Sequence, residues 1–64
     1  MILTKTELSA IDALVKVTDA DAVNLEDLGD EKQVNLIIGT KAVMSDWQDS
    51  VLDCIDDLTD FLDI

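Results

Sequence analysis

The chain has 64 residues, with fifteen acidic side chains, four lysines, no histidine and a formal charge of −11. This charge makes direct binding to DNA, RNA or an anionic membrane surface repulsive, so a basic protein surface is the natural counterpart. The length predicts a single domain over residues 1–64, and a hydrophobic content of 48% is too high for a disordered acidic tail.

Cysteine and apolar content limit the ways in which so short a chain can be stabilised. Cys54 is the single cysteine, which excludes an internal disulfide and leaves too few ligands for a zinc site. We expect no cofactor and no metal, and self-association as a homodimer is the remaining source of stability. No apolar run approaches the ~20 residues of a membrane span, and the first residues do not resemble a signal peptide. We therefore expect a cytoplasmic protein.

The first predicted element is a helix over about residues 5–17. Thr4 and Glu7 have the spacing of a capping box, in which each side chain accepts a hydrogen bond from the other residue's backbone N–H. Apolar residues then follow at helical spacing: Leu8, Ile11, Leu14 and Val15.

Residues 18–44 allow two interpretations. Apolar spacing favours a short helix that ends at Gly29, formed around Ala20, Ala22, Val23, Leu25 and Leu28. Asp30 and Gln33 then favour a second helix, weakened at Gly39-Thr40. The alternative is a strand pair turning at Gly39-Thr40, because residues 34–38 are rich in β-branched side chains. We prefer the helical interpretation.

Residues 46–62 form the clearest predicted helix. Ser45 and Gln48 have the spacing of a second capping box at its start. One side carries apolar residues at alternating spacings of three and four, which is typical of a helix packed on another helix; this apolar seam is Met44, Trp47, Val51, Cys54, Leu58 and Phe61. The predicted fold is therefore all-α: a bundle of two to three helices with a long amphipathic acidic helix at the C-terminus.

Aspartates repeat with the same alternation on the opposite side of this helix. The aspartate row is Asp46, Asp49, Asp53, Asp56, Asp60 and Asp63, with Asp57 just outside it. Most such rows are only solvated faces, but three features favour a working surface here. Neighbouring like charges destabilise a helix by ~0.2–0.5 kcal/mol per pair. Asp is a poorer helix former than Glu, and anions near a helix C-terminus oppose its dipole.

The spacing of the row suggests mimicry of a nucleic acid. A step of 3.5 residues corresponds to ~5 Å along a helix, on the scale of one charge per ~3.4 Å along a DNA strand. In size and charge the chain resembles the small inhibitors that phages and mobile elements direct at host nucleases, restriction enzymes, CRISPR effectors or repressors. The resemblance implies a basic nucleic-acid-binding partner in the host cytoplasm. Leu52 and Leu62 border the row, either as apolar anchors or as core.

Two other functions are considered beside mimicry. In a helical interaction module, the apolar seam would bind the partner, with Trp47 as a hot spot, and the aspartates would only keep the protein soluble. An enzyme is the least favoured class, because the sequence has no histidine, no nucleophile beside a general base and no phosphate-binding glycine loop. We therefore predict a protein without catalytic activity.

Overall fold

The computed structural model describes residues 2–64, which form two helices and three strands. In chain order these are α1 (Lys5–Thr18), β1 (Ala22–Asp27), β2 (Lys32–Ile38), β3 (Lys41–Met44) and α2 (Val51–Leu62). The strands make one antiparallel sheet in the order β1-β2-β3. The predicted all-α bundle is therefore wrong, and the chain has an α+β fold.

Helix α1 confirms the first sequence-based prediction. The Thr4 hydroxyl accepts a hydrogen bond of 3.1 Å from the Glu7 N–H, and the Thr4 N–H donates one of 2.9 Å to Glu7 Oε1. The helix ends at Asp19, whose left-handed backbone (φ 55°) is a conformation that Asp tolerates better than most residues. Ile11 and Leu14 are its buried residues.

Strand β1 replaces the short helix that was predicted to end at Gly29. The antiparallel register pairs Val23 with Leu36 and Leu25 with Val34, so these four side chains share one face of the sheet. The segment therefore forms a strand, in which side chains alternate between the two faces of the sheet. This structure is favoured over a helix because it gives the apolar residues cross-strand partners.

Strands β2 and β3 form a hairpin around Gly39-Thr40, with Ile38 paired to Lys41. Gly39 has φ +62°, in the left-handed region that glycine enters at little cost. Its N–H donates a hydrogen bond of 2.9 Å to Asp21 Oδ2, which ties the turn to the residue before β1. The strand pair ranked second in the sequence analysis is correct, and the preferred helix is wrong.

Helix α2 begins later than the sequence predicted, at Val51. Ser45 is no helix cap: its N–H and Oγ both bond the backbone of Val34, at 2.9 and 3.0 Å, and it is buried beside the sheet. The N-cap is Ser50, whose side chain accepts a hydrogen bond from the Asp53 N–H. Residues 46–50 therefore connect the sheet to the helix and are not part of it.

The core lies where both helices meet one face of the sheet. Its buried apolar residues are Ile11, Leu14, Val34, Leu36, Val51, Cys54, Ile55 and Leu58. The buried half of the predicted apolar seam is Val51, Cys54 and Leu58, on the side of α2 that packs against both β2 and α1. The other half, Met44, Trp47 and Phe61, is exposed to 59%, 40% and 75%. A seam between two helices is therefore the wrong description of this surface. No helix within residues 2–64 is both long and apolar enough to cross a membrane.

Candidate protein-binding face

The seven predicted aspartates lie on one continuous stretch of chain but in two kinds of structure. Asp53, Asp56, Asp57 and Asp60 belong to α2, and Asp63 is its C-terminal cap. Asp46 and Asp49 lie in the connection before the helix. All are exposed except Asp57, which is half-buried.

The helical part of the aspartate row is shorter than predicted. At ~100° per residue, Asp53, Asp56 and Asp60 point away from the buried side of α2, which is centred on Val51 and Leu58. Asp63 continues this row at the helix end. The ten residue steps from Asp53 to Asp63 span ~15 Å at a rise of ~1.5 Å per step.

Three of the seven aspartates have a local structural explanation. Asp57 Oδ2 accepts a hydrogen bond of 2.8 Å from the Asp46 N–H. Asp53 lies in the first turn of α2, where an anion is favourable to the helix dipole. Asp63 adopts a left-handed backbone (φ 57°), which Asp tolerates. These three residues are explained without a binding role.

The destabilisation that the sequence analysis attributed to the row is smaller in the structure. Only the steps 53–56, 56–60 and 60–63 lie along α2 and its cap, so the like-charge penalty falls to ~0.6–1.5 kcal/mol. Asp56 and Asp60 still stand against the dipole in the second half of the helix. Among the seven aspartates, the Asp57 carboxylate alone accepts a hydrogen bond from residues 2–64, and the six exposed carboxylates accept none.

Lysine side chains neutralise aspartates elsewhere in the molecule. Lys16 pairs with Asp12 at 3.0 Å, and Lys32 lies 3.8 Å from Asp27. Among the described residues no ion pair involves the aspartate row, and residues 42–64 contain no basic side chain. The row is therefore left uncompensated by the chain's own cations.

The two leucines that border the row have different environments. Leu52 is 38% exposed and lies one helical turn before Asp56, on the same side of α2. Leu62 is half-buried and packs against the core. The structure therefore leaves Leu52 as the candidate apolar anchor and places Leu62 in the packing.

An apolar groove between β3 and the end of α2 was missed by the sequence analysis. It has a volume of about 590 Å³ and is lined by Ile38, Lys41, Ala42, Val43, Met44, Phe61 and Leu62. The sequence analysis placed Phe61 in the apolar seam because it follows Leu58 by three residues. Asp57, four residues before Phe61 and so on the same side of the helix, was the sequence feature that indicated an exposed position.

The acidic residues do not converge on a cation site. Within residues 2–64, no group of three acidic or cysteine side chains is arranged to hold a metal ion. Comparison of the chain with protein-family models, curated proteins and solved structures finds no match. The candidate site is therefore defined by its own geometry: an exposed, uncompensated row of carboxylates with one apolar neighbour.

Proposed function

We propose that this protein is a non-catalytic inhibitor that mimics a nucleic acid. Its aspartate row occupies the basic site where a target protein binds DNA or RNA, and so excludes the nucleic acid. The targets that fit this chemistry are nucleases, restriction enzymes, CRISPR effectors and repressors, met in a host cytoplasm if the protein comes from a phage or mobile element.

The observation that carries the proposal is the uncompensated charge of the row. The described lysines with ion-pair partners use Asp12 and Asp27, so the exposed carboxylates of the aspartate row can pair with cations on another molecule. Short Asp side chains hold these charges close to the backbone of α2, a rigid support for a fixed charge pattern.

Residues without a structural role of their own supply the proposed contacts. Asp49, Asp56 and Asp60 are exposed, and Leu52 adds apolar surface on the same side of α2. Charge attracts and orients the partner, while desolvated apolar contact contributes much of the affinity in protein interfaces. Asp57 supports the site indirectly, through its bond to the connection before the helix.

Affinity capture from the native host, repeated over a salt series, tests the proposal. Capture of nucleic-acid-binding proteins that added DNA displaces, and that weakens steeply with salt, is the expected result. Captured proteins that do not bind nucleic acids, or that DNA fails to displace, would contradict mimicry.

A pair of charge-matched variants tests the row itself. The test variant carries Asp49→Asn, Asp56→Asn and Asp60→Asn; the control carries Glu26→Gln, Asp30→Asn and Glu31→Gln, all exposed positions outside the row. Both lose three negative charges, so a nonspecific effect of net charge would be equal in the two. We expect at least a ~10-fold weaker affinity for the captured target in the test variant alone. Equal affinities of the test and control variants for the target would indicate that the row is only a solvated face.

The apolar alternative is favoured by one observation: Trp47 and Phe61, members of the predicted seam, are exposed. An interaction module using them would bind a partner with little dependence on salt and without competition from DNA. The same salt series and DNA competition therefore distinguish the two functions.

A further inference from the structure

The two edges of the sheet differ in charge. Edge strand β1 carries Glu26 and Asp27 and is preceded by Asp21. Edge strand β3 carries no carboxylate, and none occurs anywhere in residues 32–45. Because charged side chains on an edge strand oppose pairing with a further strand, β1 is protected against such pairing, whereas β3 has Lys41 as its one charge.

The outer side of β3 is free to accept another strand. Its residues form ladder bonds with β2, and no other backbone hydrogen bond to Lys41–Met44 occurs within residues 2–64. The apolar groove lies directly beside this edge, and Phe61, exposed to 75%, lines it. The edge and the groove thus form one surface without a carboxylate in a chain of charge −11.

We propose that this surface binds a second copy of the chain. The β3 strands of the two copies pair antiparallel across a two-fold axis, and each Phe61 is covered by the groove of the other copy. A two-fold interface uses the same patch on both copies, so the patch must be self-complementary.

Charge complementarity argues for a second copy as the occupant. Lys41 is the single charge lining the groove and has no ion-pair partner among the described residues. A fitting occupant therefore presents an apolar side chain with a carboxylate beside it. The chain supplies this itself, because Asp57 lies one helical turn before Phe61 on the same side of α2. Contact through most other surfaces would bring the carboxylates of both copies together.

A stable dimer must bury both the β3 edge and the apolar groove, because neither alone offers enough area. A standard interface takes ~800 Å² from each partner, which is roughly a fifth of the 4264 Å² exposed by this chain. A contact between two four-residue strands alone is too small, so the groove and Phe61 must be buried together with the strands.

Sedimentation over a range of protein and salt concentrations tests the dimer. We expect a monomer–dimer equilibrium that strengthens with salt, because salt screens the repulsion between two acidic chains. Binding to a basic target should instead weaken with salt. The two experiments are therefore independent: the dimer can be disproved while the proposed function stands, and the proposed function can be disproved while the dimer stands.

Three variants locate the interface. Phe61→Ser and Lys41→Glu are each expected to weaken dimerisation at least ~10-fold, the second by placing like charges in the interface. Leu28→Ser is the control, since Leu28 is 64% exposed and lies in the β1–β2 connection. Far-ultraviolet circular dichroism verifies that each variant is folded.

Three results would overturn the proposal. One is a monomer at all protein and salt concentrations, and another is a dimer that Phe61→Ser and Lys41→Glu leave unchanged. The third is a monomer whose groove instead binds an extended segment of another protein, with Phe61 essential for that binding.

Discussion

The backbone N–H of Asp46 donates a hydrogen bond of 2.8 Å to Oδ2 of Asp57. The bond joins the start of the connection after β3 to the second turn of α2, eleven residues later. It fixes where the helix lies relative to the end of the sheet. One carboxylate of the acidic stretch is therefore part of the architecture.

This bond predicts opposite effects of two neighbouring substitutions on stability. Asp57→Ala removes the acceptor and should lower the free energy of unfolding by ~1 kcal/mol, since the bond is solvent-exposed. Asp57→Asn keeps an acceptor oxygen and should lose less. Asp60→Ala should leave stability unchanged or raise it by up to ~0.5 kcal/mol, because it introduces a better helix former and removes an anion near the C-terminus. Urea unfolding measures all three, and equal losses for Asp57→Ala and Asp60→Ala would contradict the role of the bond.

The two serines near the start of α2 should respond differently to glycine. Ser50→Ala removes the helix cap and should destabilise by ~1 kcal/mol, whereas Ser50→Gly should cost a few tenths. Ser45→Ala leaves the buried N–H of Val34 without its acceptor, which should cost ~1–3 kcal/mol. Glycine at position 45 offers no replacement acceptor and should be no better than alanine. Thermal unfolding of the four variants tests this, and a cap-like rescue by glycine at position 45 would restore the sequence-based assignment.

The serine pair also illustrates which parts of the fold the sequence could predict. Helix α1 was predictable because its capping box joins residues three positions apart. Ser45 has the spacing of a cap as well, but its hydroxyl is used by Val34, eleven residues away in β2. Contacts of this range leave no local pattern. The strand pair around Gly39-Thr40 was ranked below a helix for a related reason: the spacing of Val34, Ile37 and Ile38 fits one side of a helix, whereas in the sheet Ile37 faces away from the other two.

Leu58 and Phe61 should differ sharply in their contributions to stability, although both belong to the predicted apolar seam. Leu58 is fully buried in the core, so Leu58→Ala should destabilise by ~2–5 kcal/mol. Phe61→Ala should change stability by no more than ~0.5 kcal/mol in protein too dilute to self-associate. Chemical denaturation at low concentration makes the comparison. A large loss for Phe61→Ala under these conditions would mean that Phe61 packs within the monomer.

The candidate face was predictable as a set of residues but not as a shape. The repeat of aspartates after Ala42 is visible in the sequence, as is the absence of a basic residue there. Helix α2 starts only at Val51 because the residues up to Ser45 are used in pairing with β2: β3 forms ladder bonds with it, and Ser45 bonds Val34. For that reason the row has a helical part and an extended part, and the exposure of Phe61 became visible only once the sheet was in place.

Substitution of Gly39 separates the hairpin from the helix that the sequence favoured. An added Cβ at Gly39 meets no atom within 4 Å, so alanine there has no steric conflict with neighbouring residues. In the hairpin, the left-handed backbone (φ +62°) should make Gly39→Ala destabilising by ~1–2 kcal/mol. Gly39→Asn should lose less, because Asn enters this region more readily. In a helix, the same Gly39→Ala change would stabilise by ~0.5–1 kcal/mol. The sign of the change in the urea midpoint therefore decides between the two structures, and a more stable alanine variant would contradict the β2–β3 turn.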